Sequence, residues 1–342
     1  MDAWKEACVG PPPSSVLFPP GIYIVFPRVD LKGPCKGPIE FKATGATIMA
    51  PPALEPFKTA SWIKFMNVDK LTMTGGTYDG QGQAAWKANK CPEYTKKCEL
   101  PPNIRWSNIT NSLVKDVTSA NSKYIHMHIL KCANSSLDHV TIDAPGTSVN
   151  TKGIHIKESS GINITNTNIK TGDACISFGY GSKNVHVEKV TCGPGRGFST
   201  AILGTYEIEA PIAGIWIKNC TITDALNGVM IQSLFDSKTT TASDMHFDDI
   251  IMNNGFPSRV KISNVSFRNI RGSSSTKEAM RLACSSWEPC VNVEVADINL
   301  TFTGPGGPAT SVCCVVEPKV VGKVVPPIRM VDESECLNKG YL

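Results

Sequence analysis

The 342-residue chain is poor in aromatics, which make up 7% of it, and no stretch approaches 18 consecutive apolar residues, so no transmembrane helix is encoded. Dense runs of Lys and Arg are missing too, which argues against a nucleic-acid binder. The net charge of +4 and pI near 8.3 leave a mild basic excess that favours an acidic partner or simply serves solubility. No paired C-x-x-C arms suit zinc and no acidic cluster suits Ca²⁺, so neither a metal nor a cofactor is expected. Met1-Asp2-Ala3-Trp4-Lys5-Glu6 lacks the apolar core of a signal peptide, and the start reads as truncated.

What is present points to β structure. Val, Ile, Thr, Asn and Gly recur in short alternating runs, the mark of many short strands joined by tight turns. Thirteen cysteines exceed what a cytosolic enzyme carries. Their spacing (Cys91 to Cys98, Cys175 to Cys192, Cys284 to Cys290, Cys313-Cys314 to Cys336) suggests disulfide-closed loops, and the odd count leaves at least one unpaired. Six N-x-S/T triplets, at Asn108, Asn134, Asn163, Asn219, Asn264 and Asn299, agree with a secretory route, although Asn-rich turns also produce them by chance.

Along the chain, a short helical segment over Ala3–Cys8 and strand-like runs at Ile22–Phe26 and Ile39–Phe41 precede a self-similar pattern: an apolar residue, two polar ones, another apolar one. Its anchors are Met73, Val114, Leu137, Ile164, Val187, Ile217, Phe247, Ile262 and Val295, spaced 41, 23, 27, 23, 30, 30, 15 and 33 residues apart. Units this short without a helical face exclude helical solenoids and propeller blades. What remains is an all-β, right-handed parallel β-helix over residues 1–342, with its N-terminal coil truncated and residues 284–342 forming a disulfide-pinned cap. The interval holding Trp86 and Cys91 to Cys98 reads as a side loop, and the 15-residue interval before Ile262 as a coil with a piece missing.

Four polar turns interrupt the ladder: Asn150-Thr151-Lys152, Gly172-Asp173-Ala174, Gly195-Arg196-Gly197 and Met230-Ile231-Gln232. Lys152, Asp173 and Arg196 lie 21 and 23 residues apart, close to one coil each, so they are expected on one face at about 4.8 Å per coil. Cys175 and Cys192 are the first disulfide expected beside them, joining adjacent coils; Cys284 and Cys290 form another. His126, His128 and His155 sit in strand-like runs and read as packed or hydrogen-bonded rather than as ligands.

The chain resembles the plant polygalacturonases of glycoside hydrolase family 28, the pollen exopolygalacturonases above all. The resemblance spans nearly the whole sequence. It is carried by Gly76-Thr77-Tyr78-Asp79-Gly80-Gln81-Gly82, Ala144-Pro145-Gly146-Thr147-Ser148-Val149-Asn150-Thr151, Thr171-Gly172-Asp173, Cys175-Ile176-Ser177, Val190-Thr191-Cys192-Gly193-Pro194-Gly195 and Asn227-Gly228-Val229. It implies a pectin-lyase-like solenoid, an α-1,4-galacturonan ligand, a monomer and a secreted life in the cell wall, with neither nucleic acid nor membrane as partner. The family's signatures are N-T-D, G-D-D, G-H-G and R-I-K. All four depart here.

By that resemblance Asp173 is the acid, Lys152 and Ala174 stand where carboxylates prepare the water, and Arg196 replaces a His. Asn150, Lys152, Arg196, Met230 and Gln232 stand at substrate-binding places. Inverting hydrolysis needs a protonated acid and a carboxylate about 6.5–9.5 Å away. An alanine has no titratable group and a lysine is an ammonium near neutral pH, so neither supplies that base. Losing a general base forfeits roughly 10²–10⁴ in rate. The expectation is a polygalacturonase-like protein of the plant cell wall that acts on or binds pectin and is catalytically impaired. A working exopolygalacturonase and a truncated, decaying gene product are the alternatives; pectate-lyase chemistry lacks its Ca²⁺ carboxylates. Lys152, Arg196 and Gln232 read equally as solvated turn residues, and Asp173 as a turn cap.

Overall fold

Each turn of a parallel ladder needs extended segments separated by bends, with apolar side chains pointing inward at alternate positions. The computed structural model is built that way and describes residues 2–27, 29–53, 61–88, 100–233, 237–253, 263–274, 276–284 and 290–332. They fall into two compact units, residues 1–177 and 178–342. Each unit is a stack of parallel β-helix coils.

In the first unit one inward column runs Val16, Phe41, Met73, Val114, Leu137, Ile164, each residue in register with the next. From Phe41 onward these side chains are buried. Stacking like on like hides each side chain beneath its neighbour, which is why the apolar pattern recurs once per coil. The N-terminal helix Asp2–Val9 packs Trp4 and Cys8 against this end, with the Trp4 indole N–H donating to the Lys32 carbonyl at 3.0 Å and a Cys8–Cys35 disulfide.

A second column, in the other unit, runs Val187, Ile217, Phe247, Phe267, Val295. It corrects the sequence reading at one rung. The residue stacked on Phe247 is Phe267, with ring centroids 5.6 Å apart; Ile262 lies outside the described residues. The repeat there is Phe267-x-x-Ile270-x-Gly272, and Gly272 in the third place, paired with Met252, hides the apolar pattern.

The Asn-rich bends have a conformational cause. Asn108, Asn134, Asn219 and Asn264 take φ of 52°, 50°, 52° and 53°, the left-handed region that Asn enters more readily than most residues. The Asn108 amide also donates to the Asn67 side-chain oxygen at 2.9 Å, one bend stacked on another.

A second sheet starts at the polar turns. In the first unit its strands Val29–Lys32, Ile63–Met66, Ile104–Ser107, Ile125–Leu130 and Lys152–Lys157 pair in that order. In the second unit Phe198–Thr200 pairs with Val229–Met230, while Glu278–Ala283, Thr310–Cys314 and Ile328–Met330 form a separate sheet. Strands Val291–Phe302 and Lys319–Val325 continue the parallel ladder past Cys290, the second of them largely exposed.

Cys284 and Cys290 are joined, and Cys175 and Cys192 are each disulfide-bonded. Of the adjacent pair Cys313-Cys314, only Cys314 is bonded; Cys313, Cys132 and Cys220 are buried thiols. Cys91, Cys98 and Cys336 lie outside the described residues. Of the side loop, helix Gln83–Ala88 is described, and its Trp86 indole donates to the Ser122 carbonyl at 2.9 Å. Among the described residues no helix is long and apolar enough to cross a membrane.

Candidate active site

The structure brings the first two turns together within the first unit. Thr151, fully buried, is the knot between them. Its hydroxyl donates to the Ser148 carbonyl at 2.7 Å and accepts from the Gly172 N–H at 3.2 Å and the Thr171 hydroxyl at 3.0 Å. Thr171 also donates to the Thr151 carbonyl. A side chain at Gly172 would put its Cβ 1.9 Å from the Ser148 oxygen, so only glycine permits this approach. Strand pairing then takes over, with Gly153 N–H on the Ala174 carbonyl and Ile154 N–H on the Cys175 carbonyl, both at 2.9 Å.

This scaffold sets Lys152 and Asp173 half-buried, with Asn150 beside them at φ 57°. Ala174 is different: it is 1% exposed. At the place where the family resemblance calls for a water-activating carboxylate, the chain presents a methyl group in the packed interior of the turn.

Lys152 neighbours an outward-facing column of polar side chains. On the face of the strands away from the core, Lys64, Arg105, His128 and His155 stand in one register column. The two imidazoles lie with centroids 5.2 Å apart. Burial pushes His128 down to about 3, with Arg105, Lys157 and Lys152 adding repulsion, and His155 well below its usual value, with His128, Lys152 and Lys157 adding to it. Lys64 is lowered as well, by burial first and Arg105 second. Nothing in the sequence motifs announced this column, because its members come one per coil from four separate strands. His126, by contrast, is fully buried, with Nδ1 2.9 Å from the Ser119 carbonyl, as a packed histidine should be.

The second unit brings together the other two turns. Leu226 N–H meets the Gly195 carbonyl at 2.7 Å and Phe198 N–H the Gly228 carbonyl at 2.9 Å, either side of half-buried Arg196. Gly197 holds φ 65°, and a Cβ there would fall 2.2 Å from the carbonyls of Asn227 and Gly228. Met230 pairs with Ser199, and the Asn227 amide lies 3.6 Å from its sulfur. The Gln232 amide donates to the Thr200 carbonyl at 3.2 Å and its backbone N–H to the Thr200 hydroxyl at 3.1 Å, so this side chain is spent on the turn. Among the described residues no group of three or more His, Cys, Asp or Glu side chains converges as a metal site would.

In each unit the polar turns lie at the starts of strands of a stacked parallel coil, and that architecture defines the class: a parallel β-helix solenoid. Comparison with known proteins is specific. The model for glycosyl hydrolases family 28 matches residues 8–257 and 253–322. An exopolygalacturonase of Oenothera organensis is 45% identical over 347 residues, covering 95% of this chain and 95% of that protein. A polygalacturonase of Gossypium barbadense is 43% identical, covering 95% and 84%. Among solved structures, endo-xylogalacturonan hydrolase from Aspergillus tubingensis superposes with a TM-score of 0.79 at 18% identity, over 91% of both chains, and the polygalacturonase of Erwinia carotovora at 0.65 and 19%, over 85% and 86%. The chain belongs to glycosyl hydrolases family 28.

Proposed function

We propose that this protein binds acidic galacturonan in the plant cell wall and hydrolyses it feebly or not at all. The observation that carries the reading is Ala174, buried at 1% exposure where an inverting glycosidase of this family needs a carboxylate. Lys152 supports it. A lysine carries no carboxylate to take a proton from water, yet its side chain attracts a uronate. Arg196 keeps a cation that can grip a carboxylate with two hydrogen bonds. Asp173 remains as the acid by family position, while Lys152 and Ala174 stand at the two positions of the base. The named relatives supply the ligand class: they are polygalacturonases and exopolygalacturonases from plants.

One observation favours the rival reading of a working hydrolase. Identity of 45% to an exopolygalacturonase extends over nearly the full length of both chains. The two readings part in one assay. Reducing-end release from polygalacturonate, at high protein concentration, is compared between this chain and a variant carrying Lys152→Asp, Ala174→Asp and Arg196→His. Turnover only in the restored variant is the expected result, together with retention of the natural chain on polygalacturonate. Turnover by the natural chain sinks the proposal. Activity in neither, with no cooperative melt, points to a decaying gene product.

A further inference from the structure

Strand Phe198–Thr200 has the Arg196 turn before its start and a long turn, residues 201–211, after its end. A single carboxylate fixes that second turn. Glu209, 8% exposed, accepts the Gly204 N–H at 2.8 Å on one oxygen and the Tyr206 N–H at 3.0 Å on the other. Neighbouring coils pin it from either side. Gly181 N–H donates to the Ala210 carbonyl and Lys238 N–H to the Gly204 carbonyl, both at 2.9 Å, and the Lys238 ammonium lies 2.9 Å from the Glu207 carboxylate. A carboxylate is costly to bury unless donors meet it, so this one holds a surface turn in a single shape.

The shape sets out aromatic rings. Tyr206, 37% exposed, meets Tyr180 edge to face, with centroids 5.6 Å apart and planes at 70°. Tyr180 comes from the preceding coil, on a turn closed by the Ser182 hydroxyl donating to the Gly179 carbonyl at 2.8 Å. Edge-to-face contact fixes both ring planes, and the bound carboxylate fixes the backbone that carries one of them. An exposed aromatic held this way needs little further ordering when a ligand meets it.

We propose that Tyr206, backed by Tyr180, is a stacking subsite for the apolar C–H face of a galacturonate ring, a role that rests on the galacturonan-binding reading above. A galacto-configured pyranose carries an axial hydroxyl at C4, which leaves a continuous patch of C–H groups on its other face for an aromatic ring to cover. Its carboxylate stays clear of that patch. The strand between Arg196 and the tyrosine turn is three residues long, about 10 Å, which is the width of one pyranose with its contacts. A cation and a ring can therefore hold one sugar from two directions. The stacking share of the affinity carries no charge, so salt does not screen it.

The experiment is calorimetry with oligogalacturonate on the full chain and three variants, at about 0.01 M and about 0.15 M salt. Tyr206→Ala and Tyr206→Leu, which have no ring, should weaken binding about fivefold at both salts, and Tyr206→Phe should stay within about twofold of the natural chain. Equal affinity in the ringless variants overturns the proposal, as does a loss that Tyr206→Phe shares or that vanishes at the higher salt. If Tyr206→Ala loses its cooperative melt, Tyr206→Leu, which keeps the bulk, decides beside Tyr206→Phe. A natural chain that binds no oligogalacturonate at low salt defeats the galacturonan reading and the subsite with it. A natural chain that binds, with ringless variants that bind as well, defeats the subsite alone.

Discussion

At the scale of single residues, the histidine pair beside Lys152 has a consequence for pH. His128 is held near 3 by burial, and then by Arg105, Lys157 and Lys152, against an ordinary value of 6.5; His126 is lowered to about 3 by burial, and His155 is lowered too. Between those two pH values the unfolded chain takes up protons that the folded chain refuses. Stability conferred by the neutral rings is therefore present above pH 6.5 and is lost as pH falls towards 3. His128→Gln keeps a polar group at that rung without the titration. In acid titrations followed by circular dichroism and denaturant, the variant should lose roughly 1.4 kcal/mol per pH unit of slope between pH 4 and 6, one proton's worth, and unfold at lower pH. An unchanged slope would show that the ring protonates in the folded protein.

At the scale of the element, the unit of stability is the stacked rung, and rungs were what the sequence showed most clearly. Met73, Val114, Leu137 and Ile164, and separately Val187, Ile217 and Phe247, were legible because each coil must place an apolar side chain on the one below, which writes the period into the chain. The period failed where Gly272 took an apolar place, since a residue with no side chain leaves no hydrophobic mark even while its backbone keeps register with Met252. The site was legible only in part, for a related reason. Motif residues such as Asn150, Asp173 and Arg196 are contiguous and read directly, whereas Lys64, Arg105, His128 and His155 meet through register alone. The bond from Gln232 to Thr200 was invisible for the same cause, lying across two strands. Phe247 tests the stacking argument. It is 1% exposed, flanked by Ile217 and Phe267 in register, so Phe247→Ala should cost about 3–5 kcal/mol and lower the melting temperature sharply, while Phe247→Leu costs less. A melting point within a degree or two of the natural chain would mean that the rungs on either side bear no shared load.

At the scale of the whole molecule, charge and chemistry separate. The chain carries a net +4, and Lys64 and Arg105 stand in the outer column of the first unit, in register with Asp30 on one side and with the uncharged His128 and His155 on the other. On the proposed reading, Lys152, Lys157, Lys64 and Arg105 should hold a polyanion by long-range attraction. Attraction of that kind is screened: the Debye length falls from about 30 Å at 0.01 M salt to about 8 Å at 0.15 M. Affinity for unesterified polygalacturonate, measured by calorimetry or affinity electrophoresis, should accordingly weaken by roughly tenfold over that range. Methyl-esterified pectin, whose carboxylates are neutralised, should bind weakly at either salt. Lys152→Ala should lower the affinity at low salt and flatten its salt dependence, since one of the screened charges is gone. Binding that ignores both salt and esterification would mean that hydroxyl contacts hold the polysaccharide, and Lys152, Lys64 and Arg105 would then be surface charge with no part in recognition.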